Sequence, residues 1–170
     1  MTLIKDYLRL SLFCVGLLLG IQIPALVDQY AKRVDAKLVE VSRIYTGFEQ
    51  TAKRYFDGDV QRLINHYQQS DDAVFRQDAQ NIRYIANRLT DLSAQQQAMQ
   101  QNSLLRTMHV LFRHDQEILQ ETLAAYSYVI MLNPLAILWG LGLALMCSLV
   151  IELLLSVLLI VVRPRKVVNH

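Results

Sequence analysis

The sequence predicts an all-α fold in which two transmembrane helices flank a helical, exported segment. Three observations carry this expectation. Apolar residues make up 53% of the 170 residues, and their surplus is concentrated in two blocks, Leu10–Val27 and Leu135–Val162, on either side of a charged, glutamine-rich stretch. A soluble globule spreads its core residues along the whole chain, so two concentrated blocks speak for a membrane protein. Between the blocks apolar residues recur at helical spacing, and no strand-like alternation of useful length occurs. A formal charge of only +2 offers no electrostatic footprint for nucleic acid.

Residues 1–9 form a short tail carrying Lys5 and Arg9, and residues 10–27 form the first transmembrane helix, which contains Gln22 and Pro24. A cleaved signal peptide is the rival reading, because a basic start precedes an apolar run. Its cleavage site is missing: Ile23-Pro24-Ala25 places a bulky residue where an A-x-A-like site needs a small one, so an uncleaved signal-anchor is preferred.

The segment 28–134 reads as a helical bundle or antiparallel coiled-coil-like domain. Val34, Val41, Phe48 and Tyr55 recur every seven residues, with Leu38, Tyr45 and Ala52 four residues after the first three. They form one apolar stripe on an amphipathic helix of about 43 Å, suited to docking a partner helix. Asp57-Gly58 stops that helix, and Asp59 caps a short one carrying Val60, Leu63, Ile64 and Tyr67. After Ser70-Asp71-Asp72 a third helix carries Phe75, Ile82 and Leu89, with Ile85, Leu92 and Met99 on the adjoining face. Its glutamine-rich end, Ala94–Asn102, reads as helix-compatible but weakly packed. Ser103 then caps a single fourth helix with the stripe Leu104, Leu105, Met108, Leu111, Phe112, Ile118, Leu119 and Leu123. If the third helix descends antiparallel to the first, the fourth starts near the bilayer. It then lies against the bundle or along the membrane surface, with Arg106, His109, Arg113 and His114 towards headgroups. The reverse arrangement, in which the third helix climbs, stays open.

Residues 135–162 form the second transmembrane helix, 28 residues with Glu152 as their single charge. About 20 apolar residues suffice to cross the hydrocarbon. Trp139 suits one interface, and the tail 163–170 carries Arg163, Arg165 and Lys166 against no Lys or Arg between Gln116 and Pro134. The positive-inside rule therefore places both termini in the cytoplasm and the central domain outside, which in a Gram-negative cell is the periplasm. Cys14 and Cys147 both lie within the spans, at depths expected to differ by several helical turns, so a disulfide between them is not expected.

Glu152 is the first candidate for chemistry, because an ionised carboxylate in hydrocarbon costs at least about 2.5 kcal/mol. Gly140, Ala144, Ser148, Glu152 and Ser156 follow one another every four residues as a ridge of small and polar side chains. Gly16 and Gly20 form a GxxxG segment in the first span, expected near the depth of Glu152. The ridge reads as helix packing, with a polar lock for a partner as the next reading and ion handling as a third. His109 and His114 fall on different helix faces, His66 stands alone, and neither a metal site nor a cofactor is expected. No nucleophile elbow, phosphate loop, zinc-protease or C-x-x-C pattern occurs, so nothing asks for an enzyme. Arginines beside aromatics, as in Arg54-Tyr55-Phe56 and Arg83-Tyr84, read as charged neighbours of core positions.

The chain resembles an uncharacterised family of small proteobacterial inner-membrane proteins, a domain of unknown function. The resemblance lies in Pro24, Val27 to Ala36, Gly47 to Ala52 and Arg54-Tyr55-Phe56. It is strongest from Glu121 to Tyr128, in Leu132-Asn133-Pro134 and from Ile137 to Gly142. It implies a Gram-negative inner membrane and transfers no activity, ligand or catalytic residue. The partners expected are the lipid bilayer and either a protein partner or further copies of the chain. The leading reading is a non-enzymatic scaffold or interaction subunit. A membrane-tethered ligand-binding or sensor accessory, and a transport or channel accessory using Glu152, are the alternatives.

Overall fold

The computed structural model describes the backbone of residues 2–126 and 134–162, with side chains for 6, 7, 9–126 and 134–153. Ser156, Arg163, Arg165 and Lys166 therefore lie outside the described side chains. Among the described residues the chain is wholly helical, with six helices: α1 (Thr2–Tyr55), α2 (Val60–Gln68), α3 (Ala73–Met99), α4 (Ser103–Phe112), α5 (Gln116–Ala124) and α6 (Pro134–Val162).

The first span and the first extended helix are one element. α1 runs unbroken for 54 residues, about 81 Å at the usual rise, with Pro24 inside it. A proline removes one ladder hydrogen bond and crowds the carbonyl four residues earlier, which costs about 3 kcal/mol in an ordinary helix. α1 ends where Asp57 (φ 56°) and Gly58 (φ 85°) adopt left-handed backbone. The Ala52 carbonyl accepts from the amides of both Phe56 (2.7 Å) and Gly58 (3.0 Å) there. Asp and Gly are the residues that reach this region most cheaply.

Each of α2 to α5 starts on a side-chain cap. Asp59 accepts from the amides of Gln61 and Arg62, Asp72 from Val74, Asn102 from Leu105 and Asp115 from Ile118. Two boundaries differ from expectation. The cap of α4 is Asn102, not Ser103, and the single helix expected over 104–124 is broken into α4 and α5. No glycine or proline marks that break. Asp115, itself in extended backbone, makes it by capping a new helix two residues after the non-helical Arg113, and Glu117 in the first turn complements the new dipole.

The chain divides into two compact units, one made of Met1–Leu26 with Ser127–His170 and the other of Val27–Tyr126. In the Val27–Tyr126 unit, α2 folds back on α3 around Ile64, Ala79 and Ile82, with Phe48, Val60 and Tyr67 packed against that cluster. Tyr67 meets Phe75 edge-on at 5.2 Å. α3 runs antiparallel to α1. Its start packs against Phe48, whereas near its end Gln95 accepts from the Tyr30 hydroxyl (3.1 Å) and Gln96 donates to Asp35 (3.0 Å). The glutamine-rich end of α3 is thus firmly tied, contrary to its expected weak packing, because long amides reach across to α1 while Leu92 and Met99 are buried beneath them.

The apolar stripe of α1 faces inward. Val34 and Ala52 are fully buried, Phe48 packs on the α2–α3 core, and Leu38, Val41 and Tyr45 are half-buried. Only Tyr55 stands exposed, at the end of the helix. A stripe expected to dock a partner along its whole length is therefore spent at Val34 and Phe48 on the chain's own core, since the unit has no other helix as long to build upon. Gly47, by contrast, is exposed, and a Cβ there meets nothing within 4 Å. Gly47→Ala should stabilise the unit by about 0.5–1 kcal/mol through helix propensity alone. Denaturant midpoints of the two proteins check this.

Candidate functional site

Two constellations stand out, one in each unit. In the unit formed by the start of α1 and α6, small residues let the two backbones touch. A Cβ on Gly20 would lie 2.7 Å from the Gly140 Cα and 2.7 Å from the Trp139 carbonyl oxygen. A Cβ on Gly16 would lie 3.1 Å from the Ala144 Cα and 3.5 Å from the Cys147 Sγ. Further along the same ridge the Arg9 Nε donates to the Ser148 Oγ (3.0 Å), and an Arg9 guanidinium nitrogen approaches a Glu152 carboxylate oxygen at 3.5 Å. An open cleft of about 280 Å³ adjoins this pair, lined by Asp6, Arg9, Leu10, Phe13, Leu145 and Ser148.

This register corrects the expected one. Gly16 and Gly20 lie level with Ala144 and Gly140, not with Glu152, which pairs with Arg9 about two turns farther along. In an antiparallel pair each turn gained along one helix is a turn lost along the other, and contact of Gly20 with Gly140 fixes all the rest. The same register brings Cys147 to the level of Gly16, so the expected separation of several turns between Cys14 and Cys147 does not hold. Both thiols are free.

In the Val27–Tyr126 unit a charged clasp joins α1, α3 and the start of α5. Lys37 bridges Glu117 (2.7 Å) and Glu121 (2.8 Å), and Arg33 reaches Glu121 at 3.3 Å. Arg88 holds Asp115 through one guanidinium nitrogen and Glu117 (3.1 Å) through another. Beside the clasp the fully buried Tyr30 hydroxyl accepts from the Asp115 amide (2.8 Å) and donates to Gln95, which also bonds the His109 Nε2 (2.7 Å). No hydroxyl or amide in this chain of contacts is left to water, which is what a polar network inside a small unit requires.

The electrostatics follow from those contacts. Burial opposes the charge on Asp115, but the Arg88 guanidinium and the Ile118 and Glu117 amides outweigh it and hold the carboxyl below its usual range. The Lys37 ammonium does the same for Glu121, helped by Arg33. Burial disfavours the Lys37 charge, yet Glu117 and Glu121 leave its ammonium more firmly protonated than usual. Burial, then the nearby Arg113 and His114, push His109 down towards the neutral form. Three cations, Arg33, Lys37 and Arg88, thus face three carboxylates, Asp115, Glu117 and Glu121. Among the described residues no three His, Cys, Asp or Glu side chains converge to hold a metal ion.

Residues 4–164 match the family described as "Protein of unknown function (DUF2937)". The chain belongs to that family. No curated protein and no solved structure matches it.

For this DUF2937 member the sequence singled out Gly16, Gly20, Gly140, Ala144, Ser148 and Glu152, and the structure gathers all six along one helix pair. In the sequence Arg9 is marked only as a tail charge, whereas in the structure it is the partner of Glu152. The clasp has almost no sequence signal. Its one local signal is the Lys37, Arg33 pair a turn apart on α1, facing a Glu117, Glu121 pair a turn apart on α5, which spacing alone cannot match across 80 residues. His109 and His114, expected at headgroups, instead bond Gln95 and the Val110 carbonyl. Arg106 likewise turns inward, its Nε buried without a hydrogen-bond partner.

Proposed function

We propose that this DUF2937 chain is a two-pass protein of the Gram-negative inner membrane that works as a non-enzymatic scaffold or interaction subunit. Both termini are then cytoplasmic and the segment 28–134 is periplasmic. α1 and α6 are each long and apolar enough to cross a bilayer. Leu18, Leu19, Leu138, Leu145, Leu149 and Leu153 are exposed, as lipid-facing side chains are and core side chains of a soluble protein are not. The orientation rests on Arg163, Arg165 and Lys166, and the Gram-negative membrane on the family resemblance.

The observation that carries the interaction reading is the middle of α1. Between the clasp at Arg33 and Lys37 and the core at Phe48, the half-buried Leu38, Val41 and Tyr45 lie beside the exposed Val39 and Ile44. A helix segment left partly bare between two packed ends suits helix-on-helix docking by a partner protein or a second copy. A photo-crosslinker at position 41 or 45 in native membranes should give one discrete adduct, and one at the exposed Gln50 should give none. A clean monomer from both positions overturns the docking reading.

The Arg9 contact favours a packing or locking role for Glu152 over ion handling. A carboxylate paired with a guanidinium and standing beside a serine hydroxyl already has the partners that an intramembrane charge requires.

A further inference from the structure

We propose that α4 is a membrane-surface helix, seated on anionic lipid through Leu104, Leu105, Met108, Leu111 and Phe112. The proposal rests on the two-pass reading above. α4 is turned inside out relative to an ordinary surface helix. Its buried side is Thr107 and Val110, whereas the five large apolar residues occupy one continuous outer face. They follow the i, i+1, i+4, i+7, i+8 pattern of a single helical face, and Leu104 and Phe112 are 65% and 73% exposed. Water is a poor solvent for such a face, and monomeric proteins rarely leave one uncovered.

The position of α4 says what covers it. α3 ends with Gln95 bonded to Tyr30 and Gln96 to Asp35, and α4 follows at once. At the other end of α4 the Asp115 amide returns to the same Tyr30 hydroxyl. His109, in the middle, bonds Gln95. α4 is thus held from both ends at the Tyr30 end of its unit, and Tyr30 lies three residues past the apolar block Leu10–Val27. A helix held there reaches the bilayer interface, where an apolar face sinks between acyl chains and its polar side stays towards the protein.

Charge selects lipid over a second copy. From Asn102 to His114 there is no carboxylate, while Arg106 and Arg113 carry positive charge and Arg113 is exposed. An anionic leaflet attracts the exposed Arg113 that flanks the apolar face, whereas the same stretch of a second copy offers it no carboxylate.

The test uses the full chain in nanodiscs of phosphatidylethanolamine and phosphatidylglycerol with acyl chains brominated near the headgroups. Wild-type protein, with Trp139 as its one tryptophan, is measured first. Phe112→Trp, Leu105→Trp and the control Tyr84→Trp are then made in a Trp139→Phe background. Emission at positions 105 and 112 is expected to be lost to the same degree as that of Trp139, with position 84 unquenched. If Trp139 is quenched and positions 105 and 112 match position 84, the α4 proposal is overturned. If Trp139 itself is not quenched, the two-pass reading fails first. Blue-shifted emission at 105 and 112 without quenching means that protein covers the face, which also overturns the proposal. A circular dichroism spectrum unchanged from wild type qualifies each variant, and Leu105→Trp serves if Phe112→Trp misfolds.

Discussion

Gly20→Ile should force α1 and α6 apart, with a loss of about 2–3 kcal/mol, at the upper end of what overpacking a well-filled interface brings. The reason is that backbone meets backbone there. A Cβ at position 20 would already stand 2.7 Å from both the Gly140 Cα and the Trp139 oxygen, so no side chain can swing away to make room. Gly140→Ile meets the same obstacle from the other side, with the Leu17 carbonyl oxygen at 3.1 Å. Gly142, in the same helix, has nothing within 4 Å, so Gly142→Ile should be nearly neutral. The thiols give the readout. Cys147 is half-buried near Gly16, and Cys14 is exposed. In detergent, maleimide labelling of Cys147 should accelerate in Gly20→Ile, by about tenfold for each 1.4 kcal/mol lost. Labelling of Cys14 should stay constant, and Gly142→Ile should label like wild type. Unchanged Cys147 labelling in Gly20→Ile would sink the close-contact register.

Asp115→Ala should unfold the Val27–Tyr126 unit more readily than any other single change in the clasp. It removes the cap of α5 and strands Arg88, whose side chain is 17% exposed, with half its partners. Breaking a largely buried pair from one side costs about 3–5 kcal/mol and losing a cap about 1. Because Arg88 keeps Glu117 and some access to water, a total of roughly 2–4 kcal/mol is expected. For a unit of about 100 residues that corresponds to a fall in Tm of roughly 10–25 °C, read by circular dichroism in detergent. Asp91→Ala, at an exposed position of α3, should stay within about 0.5 kcal/mol of wild type.

The same clasp sets a pH dependence. Asp115 and Glu121 carry folded pKa values below their unfolded ones. Their contribution is therefore complete above the unfolded carboxylate range and disappears as pH falls through the folded values. His109 acts in the same direction at higher pH, because its folded pKa also lies below its usual value. Stability should begin to fall below about pH 6.5 and fall faster below about pH 4. In Asp115→Ala the lower of these two steps should shrink.

The sequence determined the helices because their signals are local. Periodicity marked the stripes, Asp59 and the run Ser70-Asp71-Asp72 marked two starts, and Asp57-Gly58 marked a stop, each within a few residues of the structure that results. It also determined which faces would pack in the helix pair, since a ridge such as Gly140, Ala144, Ser148 and Glu152 is written at one spacing on one helix. It left undetermined which residue stands opposite which. Whether Glu152 faces Gly16 or Arg9 depends on the register of helix positions more than 100 residues apart, and only the backbone contact at Gly20 and Gly140 decides it. The clasp of Arg33, Lys37 and Arg88 with Asp115, Glu117 and Glu121 arises in the same way, from the antiparallel return of α3 and the break before α5. The side of α4 that faces outward followed a similar rule. An apolar stripe states that a face will be covered, and the tertiary packing around it decides whether the cover comes from the chain, as for Val34 and Phe48, or from outside it, as for Leu104 and Phe112.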